Sequence, residues 1–215
     1  MELSAVEILD SATVRAINGQ QGLSLQEAPT LFLEFHGTQA AVQEQVEYAR
    51  EVCEDNGSVD FQVALTPEAY EKLWSGRREA HDSMKLCHPG CTMIAGDVCV
   101  PISKFGYMVE FAHSLSRRFD VLIYAFGHAG DGNLHTEIIA HKEDEDEFSR
   151  ALSASDEVVT RALELGGTVA GEHGIGFAKR QFMSKEHGPS LQLMGAIKGL
   201  LDPNGIMNPG KIFPL

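Results

Sequence analysis

Val121-Leu122-Ile123-Tyr124-Ala125-Phe126-Gly127-His128-Ala129-Gly130-Asp131-Gly132-Asn133-Leu134-His135-Thr136-Glu137-Ile138-Ile139-Ala140 is the stretch that decides the fold. The apolar run from Val121 to Phe126 predicts a buried strand, and Asn133 to Ala140 alternates as a second strand should. Asp131-Gly132 between them is a favoured hairpin turn. On one straight strand, residues seven apart such as His128 and His135 would face opposite sides of the sheet. A hairpin folds the chain back and brings both imidazoles toward one point.

Working outward, Met93 to Pro101 reads as another strand, and Ser103 starts a helix to Phe119. The acidic run Glu143 to Glu147 opens a helix reaching about Leu165, where Gly166-Gly167 stops it. Towards the start, Leu31 to Phe35 and Phe61 to Leu65 read as strands, and Val42 to Cys53 as an amphipathic helix. Thr66-Pro67-Glu68 supplies an N-cap, a first-turn proline and an early acid for a helix to about Ala80. Cys87 to Gly90 is irregular, and short helices fill the segment before Leu201. Strands and helices interspersed around a central hairpin predict an α+β architecture, with helices covering a largely antiparallel sheet.

The chain of 215 residues, 43% hydrophobic and 22% charged, suits one packed domain spanning 1–215. Lys and Arg number 17 against 31 Asp and Glu, and the net charge of −14 argues against nucleic acid or an anionic membrane surface as partner. A small anionic substrate then requires local positive charge from a metal or from well-placed Arg and Lys side chains. The four cysteines form no Cys-x-x-Cys pair and read as reduced thiols, which fits a cytoplasmic setting, or a mitochondrial one in a eukaryote. No segment has the length of a membrane span. No Gly-x-Gly-x-x-Gly turn or Walker-type loop stands ready to cradle a dinucleotide.

His128 and His135 alone read equally well as polar residues at strand ends. Gly171-Glu172-His173-Gly174-Ile175-Gly176 changes the balance by presenting a carboxylate beside an imidazole in a glycine-rich stretch. Two imidazoles and Glu172 suit a divalent transition metal such as zinc, manganese or iron, with coordination positions left open. His173 then remains free to act as general base on a proton made acidic by that metal. Arg77, near the end of its helix, reads as an ordinary helix-end cation or as a bidentate clamp for a carboxylate. Cys87-His88-Pro89-Gly90-Cys91 lacks a second ligand pair at finger spacing and is assigned to a loop.

At the two glycine-rich segments the sequence resembles the C-terminal domain of FAD-linked oxidases of the vanillyl-alcohol-oxidase type. Glu7-Ile8-Leu9-Asp10, Leu73-Trp74 followed by Arg77, Gly96-Asp97-Val98-Cys99-Val100-Pro101-Ile102-Ser103 and Met207-Asn208-Pro209-Gly210-Lys211 also stand in that family's order. Its D-lactate dehydrogenase and glycolate oxidase members look most similar. The resemblance implies a ferredoxin-like substrate domain, with FAD held mainly by an N-terminal domain outside this sequence. It implies His128, His135 and Glu172 as metal ligands, His173 as base, and Arg77 as the grip on the substrate carboxylate. Asn208 and Lys211 are implied to face the flavin.

Ala95 stands where 2-hydroxyglutarate-type members carry a lysine, which favours a monocarboxylic D-2-hydroxyacid such as D-lactate as the partner molecule. Two rival readings use the same residues. One is a stand-alone acid- or metal-binding module, and the other a metal-dependent hydrolase in which the metal activates water.

Overall fold

The computed structural model describes residues 2–213. Its elements run β1 (Leu3–Leu9), α1 (Ser11–Gln21), β2 (Thr30–Phe35), α2 (Gln39–Asp55), α3 (Pro67–Arg78), α4 (Ala80–Cys87) and β3 (Thr92–Cys99). They continue through α5 (Ile102–Phe119), β4 (Leu122–His128), β5 (Asn133–Ala140) and α6 (Glu145–Glu164) to a 3-10 turn at Arg180–Phe182, α7 (Met183–His187) and α8 (Ser190–Leu201). The five strands form one sheet in the order β2-β1-β4-β5-β3, and every neighbouring pair is antiparallel. The expected α+β architecture is the one observed.

The β4–β5 hairpin lies inside the sheet, with β1 on one side and β3 on the other. Strands in that position are buried on both faces, which is why Leu122 to Phe126 reads as an unbroken apolar run. Ile123 and Ala125 turn to the face covered by α5 and α6, where they meet Val98, Leu134, Ile138, Met108, Ala112 and Val158. Tyr124 and Phe126 turn to the other face, packed with Leu9, Ile139, Val14 and Ile17 of α1, and Ala80 and Met84 of α4. Two cores share one sheet.

β3, α5 and β4 form a split crossover with β5 inserted between the two strands, and α6 follows. This is the ferredoxin-like arrangement. Its outer strand is reduced to one bridge, where Thr168 pairs antiparallel with Cys99. The helix starts follow their local signals. The Thr66 side chain accepts from the Ala69 N–H with Pro67 in the first turn, and Asp144 accepts from the Glu147 N–H ahead of three acids.

Three expectations need correction, and two elements went unread. Phe61–Leu65 is not a strand: it lies without a ladder and borders an open cavity of about 840 Å³ beside β2. The helix starting at Pro67 stops at Arg78, and a second helix takes over at Ala80. β1 and α1 were not apparent from local pattern. The hairpin turn is longer than two residues, with Ala129–Gly132 joining the His128–Asn133 pair. The turn is held open because the Gly130 N–H donates to Val6 O at 3.1 Å.

Gly132 has φ +73°, and a Cβ there would sit 2.0 Å from the Val100 carbonyl oxygen. Gly166 has a similar φ of +80° but faces open space. Gly132→Ala is therefore expected to lose more than about 2 kcal/mol of stability, against about 1 kcal/mol for Gly166→Ala, where only backbone strain acts. Urea unfolding of the two variants checks this, and equal losses would remove the steric argument.

Candidate active site

Side-chain alternation builds one polar row across the sheet face that carries Phe126. Glu7 of β1 pairs with His128 of β4, Phe126 of β4 with His135 of β5, and His135 with Asp97 of β3. Paired residues point to the same face. Four strands therefore contribute to one surface, which the 171–173 loop meets from above. The His128 and His135 rings stand edge to face, 5.2 Å between centroids, and His173 stacks on His135 at 5.1 Å. Glu172 Oε1 lies 3.1 Å from His135 Nε2, 3.5 Å from His128 Nε2 and 3.8 Å from His173 Nε2.

His128, His135 and Glu172 offer ligand atoms that all lie within 4.8 Å of one another. Asp97, His135 and His173 form a second such set sharing His135. The donor chemistry of the first set, two imidazole nitrogens and a carboxylate oxygen, fits a divalent transition metal. Burial pushes His135 down to about 4. It stays neutral, the form that ligates, throughout the physiological range.

Glu7 carries more of the site than its place in a short motif suggests. Its Oε1 takes a hydrogen bond from His128 Nδ1 at 2.6 Å, and its Oε2 receives Arg77 Nε at 2.9 Å and an Arg77 terminal nitrogen at 2.8 Å. With Nδ1 used in this way, His128 presents Nε2 to Glu172, the orientation that a carboxylate bonded to the far ring nitrogen imposes on a ligating histidine. Arg77 is mostly buried, over the Phe126 ring at 5.4 Å, and is joined to the cluster through Glu7.

Asp97 anchors the loop that brings Glu172 and His173 in. Its side chain is fully buried; Oδ2 accepts the backbone N–H groups of Glu172 at 2.9 Å and His173 at 2.8 Å, while Oδ1 accepts from the Asn133 amide at 2.7 Å. Lys179 Nζ reaches the Asp97 carbonyl at 2.6 Å. Burial alone would push the Asp97 carboxyl up, but the His173 N–H, the Asn133 amide, the Glu172 N–H and Lys179 together hold it below its ordinary value. Glycine is needed at 171, because a Cβ there would fall 1.8 Å from the Asn133 amide nitrogen.

Further along the same face, Glu137 is buried and takes a 2.9 Å bond from His81 Nδ1 of α4. Burial raises its carboxyl above the ordinary value against the pull of His81. The cluster therefore includes Glu7, Asp97, Asn133, Glu137, His81 and Lys179 besides the residues singled out by sequence. Buried acids in apolar strands, Asp97 after Gly96 and Glu137 before Ile138, were the available signal. Asn208 and Lys211 sit apart, exposed on the C-terminal tail, with Lys211 Nζ 3.2 Å from Asn208 Oδ1. That tail touches the active loop segment through Ile212 N–H to Gly176 O at 2.9 Å.

A polar row on one face of an antiparallel α+β sheet is thus met by a glycine-rich loop. The chain belongs to the family described as FAD linked oxidases, C-terminal domain, whose profile matches residues 1–212. It is 38% identical over 214 residues to the probable mitochondrial D-lactate dehydrogenase of Danio rerio, covering 99% of this chain and 43% of that protein. It is 39% identical over 215 residues to the mitochondrial D-lactate dehydrogenase [cytochrome] of Arabidopsis thaliana, covering 100% of the chain and 38% of the relative. Glycolate oxidase subunit GlcD of Bacillus subtilis is 34% identical over 213 residues, with 98% and 45% covered. In fold, the chain superposes on 4-ethylphenol oxidase from Gulosibacter chungangensis with a TM-score of 0.67 at 14% identity, over 98% of this chain and 48% of that one. The chain thus spans less than half the length of these relatives. Among the described residues no helix is long and apolar enough to cross a membrane.

Two outcomes follow from the cluster. In chelator-treated protein, a histidine held neutral in the fold leaves the unfolded chain binding the extra proton below the ordinary 6.5. Stability contributed by His135 is then full above that value and falls by about 3 kcal/mol as pH drops towards the folded value. Urea titrations of wild type and His135→Gln from pH 7 to pH 4 should diverge in slope; parallel curves would count against a neutral His135. Asp97→Asn sets an amide among donors and is expected to cost about 2–4 kcal/mol. Hydrogen exchange should then accelerate at Glu172 and His173, and unchanged protection there would contradict the anchoring role.

Proposed function

We propose that this chain is the substrate-binding part of an FAD-dependent oxidoreductase that converts a D-2-hydroxyacid, of the D-lactate kind, to the 2-oxoacid. The observation that carries this reading is the convergence of His128, His135 and Glu172 beside His173, with Arg77 tied in through Glu7. His128, His135 and Glu172 would hold a divalent metal, which would supply Lewis acidity to the bound acid. His173, half exposed and stacked on His135, is free on its solvent side to take the hydroxyl proton. Arg77 commits Nε and one terminal nitrogen to Glu7 and keeps the other for the substrate carboxylate.

FAD, when bound, supplies the hydride acceptor. The chain spans less than half the length of its relatives, which suits a flavin held chiefly by a separate flavin-binding domain. The exposed apolar side chains Leu193, Leu200, Leu201 and Ile206, around the tail bearing Asn208 and Lys211, suit a surface covered by such a domain. Family membership favours this reading over a hydrolase or a module without redox chemistry.

The purified chain is expected to hold close to one equivalent of zinc, manganese or iron, and a His128→Ala/His135→Ala double variant close to none, by elemental analysis. Equal metal in both would remove the ligand assignment. In the longer flavoprotein, His173→Ala should slow anaerobic flavin reduction by D-lactate by about 100-fold or more, while Arg77→Lys should chiefly raise KM. Normal reduction by His173→Ala would remove the base.

A further inference from the structure

At the end of the β3–β5 pair far from the histidine cluster, a thiol, an imidazole and a carboxylate stand in line. Thr92 pairs with Ala140, which sets Cys91 opposite His141 one step further on, on the face that carries Asp97 and His135. Cys91 Sγ lies 3.3 Å from His141 Nε2, and His141 Nδ1 is 2.8 Å from Glu147 Oε2. The same Glu147 oxygen accepts the His141 backbone N–H at 2.9 Å, so the turn into α6 fixes this residue at two points. Those bonds, the backbone one first, hold the Glu147 carboxyl below its ordinary value. A nucleophile, a base and a third group that orients the base are the parts of an activated thiol. Six residues separate Cys91 from Asp97 and His141 from His135, about 20 Å along the strands, so these groups stand apart from the proposed metal site.

The surroundings decide which chemistry suits the thiol. Acyl transfer needs donors aimed at the developing oxyanion, but the Cys91 N–H is bonded to His88 O at 3.2 Å and the His141 N–H to Glu147. Attack on a disulfide needs only a base and access to sulfur. Cys91 is partly buried beside the exposed His141 ring. Glu143, Asp144, Glu145 and Asp146 follow, all exposed, with Lys142 the one cation in the run, so an approaching anion is repelled and a cation drawn in. We propose that Cys91 is a site of reversible modification by small, positively charged disulfides, with His141 as its base and Glu147 as the residue that positions His141. His141 Nε2 takes the thiol proton as the Cys91 sulfur attacks one sulfur of the disulfide. The new S–S bond forms, the reagent's S–S bond breaks, and the departing sulfur takes the proton from His141 and leaves as a thiol. Cys91 is thereby oxidised and one reagent sulfur reduced.

The chain carries its own control, because Cys87 is the more exposed thiol and its sulfur is met by the Gln20 amide at 3.8 Å. Timed reaction of the purified chain with cystamine at neutral pH, read by mass spectrometry of the peptides bearing each cysteine, should label Cys91 about tenfold faster than Cys87 or more. His141→Gln should slow Cys91 by about tenfold and Glu147→Gln by less, with Glu147→Asp, which keeps the charge, recovering part of that loss. The Cys87 rate should stay at its wild-type value in all three, which reports an intact fold. Dithiodipropionate matches cystamine in length but ends in two carboxylates. With each rate divided by that of the same reagent with mercaptoethanol, it should label Cys91 more slowly than cystamine does. Cys91 no faster than Cys87 in the wild type, a Cys91 rate untouched by His141→Gln or by Glu147→Gln, or the dianion labelling Cys91 as fast as the dication overturns the proposal.

Discussion

The buried Asp97 carboxylate is the constraint on which the site depends. It is the point where β3, β5 and the 171–173 loop meet, through two backbone N–H groups and the Asn133 amide. A charge out of water is tolerated only when its lone pairs are filled, and here each oxygen is. The geometry runs outward from that point. With the N–H groups of residues 172 and 173 fixed, the Glu172 carboxylate reaches both hairpin histidines and the His173 ring lies flat on His135. The glycines around it follow from the same crowding, since position 171 has no room for a side chain.

A second carboxylate, Glu7, works from the opposite side of the row. In a protein with a net charge of −14, gathering further acids around a site for an anion looks self-defeating. The partners resolve this. Glu7 is balanced by Arg77, Asp97 has Lys179 close by, and Glu137 is bonded to His81. Apart from Glu137 Oε2, which has no partner, the face carries its buried negative charges already matched to donors. A metal held by neutral His135 and its partners would then supply the local positive field that the composition as a whole lacks.

Much of this was legible in the sequence where the signal is local. The two hairpin strands, the cap at Thr66-Pro67 and the acidic start of α6 each depend on residues within a few positions, and each formed as read, while the turn joining the strands came out longer. Leu3–Leu9 was not legible, because Leu-Ser-Ala-Val-Glu-Ile-Leu has no clean alternation and its strand character depends on partners met only in the sheet, β2 along its length and β4, more than a hundred residues away, at Glu7–Leu9. Phe61–Leu65 failed in the opposite sense: apolar and β-branched, it has the composition of a strand but no ladder to join. The hairpin explained the meeting of His128 and His135, whereas the roles of Glu7, Asp97 and Glu137 depend on who faces whom across strands. Sequence order does not carry that information.

The hairpin origin of the two histidines also has a meaning for assembly. His128 and His135 are brought together by closing a very short loop, which costs little chain entropy and needs no other part of the protein. Glu7 must find His128 across 121 residues of chain, and Asp97 must meet the 172–173 backbone across about 75. Contacts of such different reach do not arrive together in a folding chain. In chain entropy the histidine pair is the least costly part of the site to bring together, and its two long-range carboxylate partners are the most costly.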